Sequence, residues 1–193
     1  MVPPTLSLRA LHEGSRAARL LRVRRLSEGM AMASAAVAVL LAAAMLLYWC
    51  LTPADTLFRH AGLVLPPPMG VGLPVRLLAF AVAMIPLGAL IFGLLKARHC
   101  FRCFAAGRIF SSDAARSLRG FALWIGASAL LKPLAGAALG LLLGALSPGQ
   151  TRSLVLNIGS DTLLSLLFAA MVAVIAGVLV EASDVAAEND QFV

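Results

Sequence analysis

Charge is scarce in this chain, and acidic charge scarcer still. Asp and Glu together number nine in 193 residues, and charged residues make up 13%, about half the ~25% of ordinary soluble domains. That scarcity argues against a water-exposed globular surface. Aromatic residues are only 6%, with one tyrosine, so the basic segments lack the interleaved aromatics of a nucleic-acid-binding face. Three cysteines and three histidines are too few for a disulfide-built scaffold or a cluster of zinc sites. No nucleophile elbow, phosphate-binding glycine loop or pair of intramembrane carboxylates occurs, so no catalytic residue is assigned and an enzyme is not expected.

What the chain has instead is apolar length. Hydrophobic residues reach 61%, and they gather in four stretches at 30–51, 74–95, 121–146 and 162–180, none of which contains a carboxylate. Each carries about the ~20 residues an α-helix needs to cross ~30 Å of hydrocarbon. A soluble core in a chain of this size has no room for that much apolar surface, whereas lipid solvates it. The fold expected is an all-α membrane protein with four transmembrane helices arranged as a four-helix bundle. A basic segment at 1–29 precedes the membrane domain at 30–180, and an acidic tail at 181–193 follows it. The first stretch is too long for a signal-peptide core of ~7–15 residues, and it ends in Tyr48-Trp49, a pattern suited to an interfacial anchor.

The net charge of +7 is distributed unevenly. Six arginines (Arg9, Arg16, Arg19, Arg22, Arg24, Arg25) precede the first stretch, and Lys96, Arg98, Arg102, Arg108, Arg116 and Arg119 lie between the second and third. The other two connections hold Arg59, Arg76 and Arg152 alone. By the positive-inside rule both termini are expected in the cytoplasm and the protein in the inner membrane of a bacterium. Residues 7–28 read either as an interfacial helix on anionic lipid or as a basic tail that only sets orientation. The first outer connection carries Pro66-Pro67-Pro68, a stiff spacer. Pro86 is expected to kink the second span by freeing the carbonyl of Val82. In the second outer connection, Ser153-Leu154-Val155-Leu156-Asn157-Ile158 alternates enough to be expected as a short β element. Ser111-Ser112-Asp113 has the chemistry of a helix start, a hydroxyl for the unpaired N–H groups and an acid at the positive dipole end.

Few side chains stand out as sites. In span three, Ser128, Lys132, Gly136, Gly140 and Gly144 recur every four residues and share a helix face. Span four carries a matching stripe of Ser165, Ala169, Ala173, Gly177 and Glu181. Stripes of small residues let helix backbones approach closely, so these two are expected to pack on a neighbouring helix, plausibly each other; a homodimer contact is the alternative. Lys132 is the one ionisable group well inside a span, at an insertion cost of ~2.5–3.5 kcal/mol. It reads as a proton, ion or anion site, or as a lysine snorkelling towards the cytoplasm, because no span offers it a carboxylate. Cys100 and Cys103 form a C-x-x-C beside His99, a weak zinc candidate short of a fourth ligand; membrane-proximal thiols without a metal are the plainer reading. No cofactor is expected.

Two stretches carry a likeness to a known family. One is Gly107-Arg108-Ile109-Phe110-Ser111, running on through Ala114-Ala115-Arg116-Ser117-Leu118-Arg119. The other is the tail from Val180-Glu181 through Ser183-Asp184 and Glu188-Asn189-Asp190 to Val193. They resemble a bacterial four-span membrane family catalogued only as a domain of unknown function. The resemblance implies a small membrane protein without established activity. Its members often lie beside a small helix-turn-helix regulator, which points to a regulatory role through a cytoplasmic partner and no direct contact with nucleic acid. The expected working surface is therefore Arg108, Arg116 and Arg119 together with Glu181, Asp184, Glu188 and Asp190. The alternative is a small transporter or channel subunit built around Lys132.

Overall fold

A computed structural model describes residues 4–52, 73–108, 111–144 and 158–189. It consists of four helices: α1 (Pro4–Leu51), α2 (Leu73–Ala105), α3 (Ser112–Gly144) and α4 (Ser160–Asn189). All four contain a segment long and apolar enough to cross a membrane. The β element expected at 153–158 lies, apart from Ile158, outside the described residues, and among the described residues there is no strand. The basic N-terminal segment is helical from Pro4 and continuous with the first span. α2 continues as one helix through Pro86, and α3 through Pro133.

The helix ends follow from local chemistry. At the end of α2, Gly107 adopts φ +79°, a left-handed conformation that a Cβ penalises. Its N–H donates to Phe104 O, and Arg108 N–H donates to Cys103 O, both at 3.0 Å. This pair of bonds is the Schellman cap, which satisfies carbonyls the helix leaves open. Six residues on, Ser111 Oγ accepts the Ala114 N–H at 3.3 Å, and Asp113 sits in the first turn of α3, as the sequence led one to expect. The first two helices are tied at the opposite end: Arg76 of α2 donates to the carbonyls of Trp49 and Thr52 at the close of α1. A cation there also complements the negative end of the helix dipole.

Packing is serial. α1 lies against α2, α2 against α3, and α3 against α4, with no contact of comparable extent between α1 and α4. The expected bundle is thus drawn out into a row. Neighbours run antiparallel: Trp49 meets Phe80, Ser128 Oγ donates to Pro86 O at 2.8 Å, and Gly126 of α3 approaches Ala169 of α4.

The contact surfaces are built from small side chains. α1 buries Ser27, Ala31, Ser34 and Ala38; α3 buries Ala115, Ala122 and Ala129; α4 buries Thr162, Ala169, Ala176 and Ser183. The largest fully buried side chains are Cys100 and Cys103. Three of the buried hydroxyls return their protons to their own helix, Ser34 to Met30 O, Ser117 to Asp113 O and Ser183 to Val180 O, so these three cost no unpaired donor. Bulky residues such as Leu77, Phe92, Leu164 and Val174 point outward. That distribution suits hydrocarbon, where apolar burial drives little and backbone proximity holds helices together. Among the described glycines the tightest contact between helices is at Gly93, where a Cβ would stand 3.3 Å from the Trp124 Cβ.

Candidate functional site

Lys132 has a partner. Its Nζ donates to Asp161 Oδ2 in an ion pair that joins the middle of α3 to the first turn of α4. This corrects the expectation of an unpartnered lysine turning back towards the basic end. Asp161 stands one residue before the fourth apolar stretch and twenty-nine from Lys132 in sequence, so only the antiparallel register of α3 and α4 brings them together. Asp161 does double duty there, since a carboxylate at a helix N-terminus also meets the positive dipole end. Both side chains remain largely exposed, at 64% and 61%, so the pair lies on the flank of the α3–α4 contact and not inside it. An ammonium and a carboxylate side by side are a minimal site for a proton, an ion or a charged headgroup.

The small-residue stripes meet a neighbouring helix at Ala169 and Ser128 and not at every position. Gly126, outside the proposed stripe, is the glycine that meets α4, with its Cβ position 3.6 Å from the Ala169 Cβ. Ser128 is engaged by α2 through Pro86. Among the described residues nothing approaches the Cβ positions of Gly136, Gly140 or Gly177 within 4 Å, and Gly177 is exposed while Ala173 is half-buried. The buried line on α4 has a period of seven, not four. Contact once every two turns is the heptad geometry; a strict four-residue stripe drifts around the helix and leaves the interface.

Cys100 and Cys103 are each 1% exposed and pack with Ala114, Phe104 and Leu118 just inside the α2–α3 turn. Both are free thiols, as is the exposed Cys50. His99 is exposed on another face of α2, and no group of three His, Cys, Asp or Glu side chains gathers among the described residues. The C-x-x-C thus serves as a core element in this structure, since thiols buried in apolar surroundings are poor nucleophiles.

The basic and acidic candidates lie at one end of the row. Arg108, Arg116 and Arg119 are exposed there with Lys96, Arg98 and Arg102, and so are Glu181 and Asp184 of α4. Among the described residues none of these acids lies within ion-pair distance of the arginines; the two ion pairs are Arg24–Glu28 and Lys132–Asp161. Glu188 belongs to α4, but its side chain, like Asp190, lies outside the described residues. At the opposite end, Arg76 and the aromatic group of Tyr48, Trp49 and Phe80 went unremarked as a unit in the sequence. The cue was a lone arginine soon after the proline-rich connection, opposite an aromatic pair.

Four apolar helices with outward-facing bulky side chains, small-residue contacts and charged ends define a multi-pass membrane protein. Residues 51–193 match the family described as "Protein of unknown function (DUF2975)", and the chain belongs to that family. No curated protein and no solved structure matches it.

Proposed function

We propose that this protein is a non-enzymatic, regulatory subunit of a bacterial inner membrane, with both termini in the cytoplasm, that binds a cytoplasmic protein partner through its basic end. The observation that carries the reading is the overrun of the helices. α2 and α3, of 33 residues each, are ~50 Å long at ~1.5 Å per residue, well beyond the ~30 Å of hydrocarbon. The excess falls at the end where Lys96, Arg98, Arg102, Arg116 and Arg119 are exposed, and α1 extends further still. A capped helical hairpin whose guanidinium groups lie in no ion pair among the described residues suits recognition of an acidic protein surface.

The test is crosslinking in native membranes followed by mass spectrometry, comparing wild type with Arg116→Glu/Arg119→Glu. A partner captured by wild type and lost from the variant supports the proposal; an identical capture profile refutes it. The second reading, a small transporter or channel subunit, is favoured by the Lys132–Asp161 pair within the helix row. For that reading, Lys132→Leu abolishes solute flux in proteoliposomes while leaving partner capture intact.

A further inference from the structure

The four helices do not share one level. Along α2, Arg76 and Lys96 stand about twenty residues apart, or ~30 Å, the thickness of a hydrocarbon core. Lys96 lies across Gly120, next to Arg119, so one boundary passes through that level and the other through Arg76. The apolar residues of α1 and α2 fall largely between these boundaries. Those of α3 run about five residues past the Arg76 level, and those of α4 about five past the Lys96 level. Asp161 pairs with Lys132, which the Ser128–Pro86 and Gly120–Lys96 contacts put about six to eight residues, ~9–12 Å, inside the Arg76 boundary. Continuing from the Gly126–Ala169 contact, Ile175 comes level with Gly120 and Lys96. Val178 and Val185, 65% and 59% exposed, then lie beyond that boundary among the charged ends.

The seam that holds α4 permits another position. Thr162, Ala169, Ala176 and Ser183 are spaced seven apart, and the buried Ala115, Ala122 and Ala129 of α3 repeat with the same period. A slide of one heptad, ~10 Å along the axis, sets Ala176 opposite Gly126 in place of Ala169 and keeps small residues in the seam. It also draws the band ending at Val180 inside the Lys96 boundary and raises Asp184 to about the level of Arg116 and Arg119. Such a move relieves the hydrophobic mismatch of the present level. What opposes it is the Lys132–Asp161 pair, the one ion pair between helices among the described residues.

We infer that α4 has two registers on α3, one heptad apart, and that the Lys132–Asp161 pair is the latch holding it in the register nearer the basic end. Release of the latch moves α4 towards the Arg76 end and withdraws the acidic tail towards the arginines of α3. Packed interfaces with discrete alternative fits are the usual basis of such switching. The slide concerns the helix alone, so its test is independent of whether a partner docks at the basic end.

The registers are read by cysteine pairs in native membranes, with Cys50, Cys100 and Cys103 replaced. A Cβ at Gly126 stands 3.6 Å from that of Ala169, within the ~3.5–4.5 Å of a disulfide. Gly126→Cys with Ala169→Cys therefore reports the latched register, and Gly126→Cys with Ala176→Cys the other. With the latch intact, oxidation links 126 to 169. Adding Asp161→Asn lowers that yield and raises the 126–176 link at least tenfold, measured as linked peptides by mass spectrometry. The swap Lys132→Asp/Asp161→Lys restores the 126–169 link, which separates loss of the latch from loss of the fold. Unchanged yields in Asp161→Asn, loss of both links without gain of 126–176, or a swap that fails to restore 126–169 overturns the inference.

Discussion

Among the described glycines, Gly93 has the tightest contact with a neighbouring helix, and substituting it tests the small-residue packing directly. A Cβ there would stand 3.3 Å from the Trp124 Cβ, 3.6 Å from Ile125 Cγ1 and 3.7 Å from the Ile125 backbone N. Leucine adds three further carbons where α3 already lies, so α2 and α3 must separate or Trp124 must leave its stack on Phe92, whose ring centroid is 5.4 Å away. Overpacking of this kind costs ~1–3 kcal/mol. Gly88, five residues earlier on the same helix, is the internal control, because nothing approaches its Cβ position within 4 Å. Replacing either glycine gains up to ~1 kcal/mol of helix propensity, and that gain cancels in the comparison. Gly93→Leu should therefore fold less favourably than Gly88→Leu by roughly 5- to 140-fold in the equilibrium constant, at ~1.4 kcal/mol per tenfold. Reversible unfolding in mixed micelles, titrated with SDS and followed by tryptophan fluorescence, reads both. Equal midpoints for the two variants would refute the packing of α2 on α3.

Ser128→Ala should cost about 0.6 kcal/mol, and no more than ~1.7, the range measured for interhelical hydrogen bonds in membranes; the same SDS titration checks it, and a loss above 3 kcal/mol contradicts a single bond to Pro86 O. In folded protein a small maleimide should modify the exposed Cys50 and spare Cys100 and Cys103, which become reactive only on unfolding. Rapid labelling of all three would show that the α2–α3 core around Ala114 is not packed as described. Arg76→Ala should destabilise by about 1 kcal/mol through loss of a helix C-terminal cation and its hydrogen bonds, while Arg76→Lys recovers part of that loss.

The four helices were legible because composition alone decides them: Pro74–Leu95 or Thr162–Val180 has no other stable fate than a helix in lipid. The start of α3 was equally plain, since Ser111 and Asp113 encode it locally. Which faces meet was harder to read. Glycines at Gly136 and Gly140 advertise a close contact, yet among the described residues Gly93, Gly120 and Gly126 supply the ones observed, because helix order and register, not glycine spacing, select the face used. Lys132 was recognisable as exceptional from sequence, but its partner was not. Asp161 sits outside its apolar stretch, and a search confined to the spans passes over it. The overrun of α2 beyond its apolar residues was hidden for a related reason: Lys96–Ala105 is too basic to read as span, although its helix continues without a break to the Gly107 cap.

Sidedness is the claim on which the proposed role rests most directly. In a Cys50→Ser background, Ala106→Cys at the exposed α2–α3 turn and Arg152→Cys in the last connection are each challenged in intact cells with a membrane-impermeant maleimide. The account predicts labelling at 152 and none at 106 until the membrane is opened. Labelling at 106 in sealed cells would turn the basic end outward and contradict it.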